Sequence, residues 1–145
     1  MATVELRFSA LPEHVRTARL VAAAVARRAG VDEAVLDEVR LAVGEACTRA
    51  VGLHQTVGIS APVKVLLIEE EKQFSIEVGD EAPHAVSGER PPGAGPGDAD
   101  GEADEDEMGL AVISGLVDDV EVSAGEHGGL IKMTWPTTPP PTILV

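Results

Sequence analysis

The stretch VLDEVRLAVGEACTRAVGLH, Val35 to His54, decides the fold. Apolar residues fall at Val35, Val39, Ala42, Val43, Ala46 and Ala50. That is helical spacing with one buried stripe. Asp32 stands just ahead as a candidate N-cap. The same stretch carries Glu38, Glu45 and Arg49. Glu38 and Glu45 lie two turns apart on neighbouring faces, and Arg49 follows Glu45 at i,i+4. Spacing alone predicts a surface helix steadied by a Glu45–Arg49 ion pair, worth about 0.2–0.5 kcal/mol.

On the N-terminal side, Val4, Leu6 and Phe8 alternate with Glu5 and Arg7, which predicts a half-buried strand from Thr3 to Phe8. Pro12 suits the opening of a helix, Glu13 to Ala29, whose stripe is Val15, Ala18, Ala22, Val25 and Ala29. Arg27 and Arg28 complement its dipole, and Gly30 is a natural residue to end it. The central helix follows at once, so the two helices should pack together. Beyond it, Gly52 and Gly58 bracket an expected loop carrying His54 and Gln55, with His54 facing solvent. Val63 to Glu69 and Phe74 to Val78 read as an antiparallel hairpin around a polar turn at Glu70 to Lys72. From Glu81 to Glu107 aliphatic residues nearly vanish, and Asp98 to Glu107 holds seven acids and no base. Such a segment buries too little apolar surface to offset its ordering entropy, so residues 86–106 are expected to form a mobile acidic insertion. A third helix is predicted from Gly109 to Leu116 or Asp119. Strands follow at Val120 to Ser123 and Leu130 to Trp135, then a Pro-rich tail at 136–145.

The element order is strand, helix, helix, strand, strand, loop, helix, strand, strand. Helices on one face of a mostly antiparallel sheet make an α/β two-layer sandwich. At 145 residues one domain is expected, over 1–135, and 44% hydrophobic content suffices for its core. With Phe8, Phe74 and Trp135 the whole aromatic set, that core must be aliphatic. A net charge of −14 argues against nucleic acid as a direct partner, because phosphate contacts need a basic surface. It suits basic protein partners. Cys47, the lone cysteine, reads as a small core residue rather than a catalytic thiol. His14, His84 and His127 show no metal-ligand spacing with it or with one another, so no metal site is expected. No basic-then-apolar leader is evident. No apolar run approaches the roughly 18–20 residues of a membrane span, so a cytoplasmic protein is expected, with no membrane partner.

Three stretches resemble one family. GEACTRAV, Gly44 to Val51, resembles the first nucleotide-binding box of the anti-sigma factor serine/threonine kinases of the GHKL ATPase superfamily, which reads like SEAxTNAxxH. FSAL, Phe8 to Leu11, and GLAVISGLVDDV, Gly109 to Val120, are similar to that family's start and third helix. The resemblance covers about Val4 to Trp135 and implies a Bergerat, histidine-kinase-like ATPase fold. It also implies binding of a sigma factor and of an anti-sigma factor antagonist in a partner-switching circuit. An active member phosphorylates a serine on the antagonist with ATP and magnesium, and many members are homodimers.

In family terms Glu45 matches the general base, since a carboxylate beside a substrate hydroxyl can take its proton. The box asparagine that gives Mg²⁺ an oxygen is here Arg49, which has no acceptor atom and repels the metal. It would also pair with Glu45. The second box, DxGxG, is DEAPH: Asp80 keeps the adenine-reading carboxylate, while Ala82 and His84 replace the glycines. The third box, GxGL, is EMGL, with Gly109 kept and Glu107 in place of the first glycine. Glycine lets backbone N–H groups approach phosphate, and a carboxylate there repels it. Arg19, in TARL, falls where the family's first helix presents an arginine to partners; a solvated helix arginine fits that position equally well. The sequence therefore predicts an anti-sigma-factor-like binder with a degenerate ATP site and no cofactor. An active serine/threonine kinase would use ATP and magnesium around Glu45 and Asp80. A scaffold sequestering an unrelated basic protein is the alternative from another class.

Overall fold

The alternation at the N-terminus becomes the first strand, β1 (Ala2–Phe8), with Val4, Leu6 and Phe8 half-buried. The computed structural model describes residues 2–83 and 110–137. Helix α1 (Pro12–Ala29) opens on Pro12, carries Arg27 and Arg28 in its last turn, and ends at Gly30, whose N–H donates to the carbonyls of Ala26 and Arg27. A 3-10 turn (Glu33–Val35) follows, and Asp32 caps that turn, its Oδ1 accepting from the Ala34 N–H at 3.0 Å. Helix α2 (Leu36–Val57) then runs six turns. β2 (Val63–Glu70) and β3 (Gln73–Asp80) form the expected hairpin, with Leu67 opposite Ile76. Residues 110–116 are the helical segment α3. β4 (Asp119–Gly125) and β5 (Gly128–Pro136) close the chain with a second hairpin.

The strands form one five-stranded sheet in the order β1-β2-β3-β5-β4, and every neighbouring pair is antiparallel. Both helices lie against β2 and β3 on one face. That face buries Val65, Leu67, Phe74, Ile76, Val78, Ile131 and Met133. Each large aliphatic side chain so buried contributes about 1.5–3 kcal/mol. The other face carries Lys64, Glu77 and Lys132 on alternate positions. Phe74 and Trp135 stack inside the core, centroids 6.5 Å apart. Between the helices the buried residues are small: Ala18, Ala22 and Ala26 on α1, and Ala42, Ala46 and Ala50 on α2. The two-layer α/β sandwich is thus as expected.

The loop expected between Gly52 and Gly58 is instead helix as far as Val57. Gly52 inside a helix costs about 1 kcal/mol relative to alanine. Val51 and His54 continue the buried stripe on either side of it and offset that loss. The helix ends at Gly58, whose N–H returns to the His54 carbonyl. The predicted insertion at 86–106 and Gly109 lie outside the described residues, as do positions 138–145 of the tail. Among the described residues no helix is long and apolar enough to cross a membrane.

Candidate functional site

The C-terminal half of α2, the end of β3 and the tip of the β4–β5 hairpin meet in one place. Arg49 projects from α2 with its side chain 8% exposed, and Asp80 ends β3 with its side chain 3% exposed. Arg49 Nη1 lies 3.9 Å from Asp80 Oδ2, an ion pair set between helix and sheet. The expected local pair with Glu45 gives way to this one. A single turn of helix brings Glu45 near Arg49, but the sheet presents Asp80 in a drier place, where opposite charges attract more strongly. Glu45 itself is half-buried, one turn earlier on α2.

Backbone contacts fix Asp80 further. Its Oδ1 accepts from the Ala82 N–H at 3.0 Å, so the carboxylate folds back over its own turn. The next N–H, of Glu81, donates to His54 Nε2 at 2.9 Å. His54 Nδ1 lies 2.9 Å from the Ala61 carbonyl oxygen. Because a backbone N–H can only donate, Nε2 must carry the lone pair and Nδ1 the proton. His54 is therefore a neutral strut between the start of β2 and the end of β3, and it is fully buried. The solvent-facing loop histidine expected from the sequence is corrected by this geometry.

Gly128 completes the turn from the other side. Its φ is +137°, and a Cβ there would stand 2.1 Å from the Asp80 carbonyl oxygen. Only glycine tolerates both the backbone angle and that approach. Ala82 is fully buried where the family pattern has a glycine, so its methyl group occupies part of the turn.

Arg49 offers only donors and no oxygen to a cation, and one oxygen of Asp80 accepts from the Ala82 N–H. Among the described residues no group of three His, Cys, Asp or Glu is placed to hold a metal ion. Cys47, close by in sequence, is buried, and burial pushes its thiol up from 9.0 to about 12, which makes it inert at neutral pH.

Arg19 lies elsewhere. It is exposed on α1, and its stem crosses α2 at Gly44, where an added Cβ would stand 2.7 Å from Arg19 Cδ. Arg16, Arg19, Leu20, Asp37, Arg40 and Leu41 line a groove of about 430 Å³ between the two helices. Leu20 is 58% exposed and Leu41 54% exposed, an apolar pair amid three arginines. Asp37 pairs with Arg40 and leaves the groove net positive. The structure thus brings Arg49 and Asp80 together, with Glu45 one turn from Arg49, and sets Arg19 on a separate surface. Sequence reasoning missed His54, Gly128, Gly44 and the exposed leucines. His54 was signalled by falling three and four residues after Val51 and Ala50, in step with the stripe.

Residues 8–135 match the model of a family described as the histidine kinase-like ATPase domain. A serine-protein kinase RsbW from Bacillus pumilus is 30% identical over 136 residues, covering 90% of this chain and 83% of its own. A second serine-protein kinase RsbW, from Bacillus licheniformis, is 28% identical over 134 residues with the same coverage. Among solved structures, the RsbU and RsbW domains of Rv1364c from Mycobacterium tuberculosis superpose with a TM-score of 0.68 at 16% identity. That likeness covers 96% of this chain and 33% of the other, and it establishes the shared fold.

Proposed function

This chain belongs to the histidine kinase-like ATPase domain family, and from that premise we propose that it is an anti-sigma-factor-like regulator whose ATP site no longer takes nucleotide. One observation carries the proposal: the buried Arg49 guanidinium beside the Asp80 carboxylate. In the family pattern these positions hold a magnesium-binding amide and an adenine-reading carboxylate. Here the first offers only donors, and the second is engaged by a cation and by the Ala82 N–H. Two charges removed from water stand beside each other, and a nucleotide reaching Asp80 would have to displace the guanidinium.

What remains is binding. The relatives are named serine-protein kinases, and the family resemblance supplies a sigma factor and an anti-sigma factor antagonist as the partners. Arg19 stands in a groove of the right character, with a forked donor beside apolar leucines. Such a fork holds a carboxylate through two hydrogen bonds.

Calorimetry with millimolar Mg-ATP tests the proposal. No heat and no rise in melting temperature are expected, since a ligand that binds the native state must stabilise it. A clear binding signal would instead favour a working kinase with Glu45 as its general base. Co-purification from the native host without any sigma factor would favour a scaffold for an unrelated basic protein.

A further inference from the structure

Gly44 lies in the middle of α2, one turn beyond Arg40 and Leu41, so it continues the wall that α2 gives the Arg19 groove. It is buried although it has no side chain. Its nearest cover is Arg19. The three atoms closest to a Cβ added at Gly44 all belong to that arginine: Cδ at 2.7 Å, Cγ at 3.5 Å and Nη1 at 3.7 Å. Glycine inside a helix weakens it relative to alanine. Gly52, about two turns later in the same helix, shows the ordinary case, since nothing stands within 4 Å of an added Cβ. At Gly44 a methyl group would instead occupy the track of the Arg19 stem.

Arg19 is placed differently from its neighbours. Arg7, Arg27, Arg28, Arg40 and Arg49 each stand beside an acid. Among the described residues no acid pairs with Arg19, whose stem lies across α2 at Gly44. An arginine placed by its stem keeps its guanidinium donors available. The close approach involves a flexible side chain, so alanine at position 44 would move the arginine and leave the backbone where it is. The cost of that substitution falls on where Arg19 points, not on the fold. The family's box reads SEAxTNAxxH where this chain reads GEACTRAV, so the pattern has serine at the place of Gly44. Serine carries a Cβ, and the open track is therefore a feature of this chain.

We propose that Gly44 is a positioning residue for Arg19: its missing side chain seats the arginine stem across α2 and presets the guanidinium for a carboxylate of a protein partner. A side chain already held in its bound conformation loses less freedom on binding. The inference rests on the reading that Arg19 meets a partner, and it adds a residue that touches no partner to those that set the affinity.

The test compares the full chain as wild type, Gly44→Ala, Arg19→Ala and the double variant, with Gly52→Ala as the control for helix propensity. Nitrogen NMR relaxation of the Arg19 Nε–H group reads the seat. That group should be restricted in the wild type and in Gly52→Ala, and freely mobile in Gly44→Ala. Melting curves read the coupling. Gly52→Ala, and Gly44→Ala in the Arg19→Ala background, should each raise the melting temperature by about 3 °C. With Arg19 present, Gly44→Ala should raise it by clearly less, because the stem loses its bed. Calorimetry uses the purified antagonist protein that accompanies the wild type from the native host. Gly44→Ala should bind it roughly threefold to tenfold more weakly, Arg19→Ala more weakly still, and the double variant no worse than Arg19→Ala. Unchanged Arg19 mobility in Gly44→Ala, or equal melting shifts in the two backgrounds, overturns the seat. Full affinity in Gly44→Ala where Arg19→Ala has lost it overturns the proposal and leaves Arg19 in the interface. Equal affinity for wild type and Arg19→Ala overturns both readings.

Discussion

Replacing His54 with alanine should destabilise the domain more than any change at a polar surface position. The side chain is fully buried, and it carries two hydrogen bonds of 2.9 Å. Its backbone partners are at least partly open to water, so each lost bond costs nearer 1 than 3 kcal/mol. The vacated ring volume adds about 1–2 kcal/mol. The sum is about 3–4 kcal/mol, a large share of the 5–15 kcal/mol that holds a typical domain together. For a chain of this size the melting temperature should fall by roughly 10 °C. His54→Phe fills the ring space with a slightly larger ring but loses both bonds, and should cost about 2 kcal/mol or somewhat more. The difference between the two variants separates packing from hydrogen bonding. Thermal melts give the totals, and amide exchange at Glu81 gives the local effect, since that N–H loses its acceptor in both. If His54→Ala melts within about 2 °C of the wild type, the strut carries no weight and the reasoning fails.

Arg19→Ala should weaken binding of a sigma factor or antagonist by about 1–3 kcal/mol without moving the melting temperature. Arg27→Ala, which removes only an exposed pair with Glu33, serves as its control; equal affinities for wild type and Arg19→Ala would take Arg19 out of the interface. Gly128→Ala combines a forbidden backbone angle with a 2.1 Å approach to the Asp80 carbonyl; a loss of about 2–4 kcal/mol is expected, and a neutral melting curve would contradict it. Cys47 should resist thiol reagents at neutral pH until the domain unfolds, as followed by absorbance with an aromatic disulfide. Its thiol is raised in the folded state from 9.0 to about 12. The native state therefore keeps a proton that the unfolded state has lost, so stability should fall through that window by about 1.4 kcal/mol per pH unit.

The fold was legible because its signals are local. The alternation of Val4, Leu6 and Phe8 placed β1, and the Phe74, Ile76, Val78 pattern placed β3. The stripe from Val39 to Ala50 placed α2. Where local rules conflicted, the sequence misled. Gly52 argued for a break, but the buried pair Val51 and His54 sustained the helix through it. The site was harder to read. The identity of Arg49 announced a departure from the family's box, yet its partner, Asp80, is brought near by tertiary packing and by no spacing rule. His54 and Gly128 reach the same turn from opposite sides of the fold, and neither contact is visible until the chain is folded.

The alanine-lined interior between α1 and α2 has a consequence for whatever docks above it. Alanine has no rotamers to freeze, so this layer surrenders no side-chain entropy when it orders and has none to regain by loosening. Arg16, Arg19 and Arg40 line a groove whose alanine base has no alternative rotamers to adopt. Two ligands of different shape meet the same base there, and the long arginine side chains above it supply the adjustment. Any preference between them comes from how each ligand meets the arginine forks, because the alanine layer beneath has no side-chain freedom to spend on either.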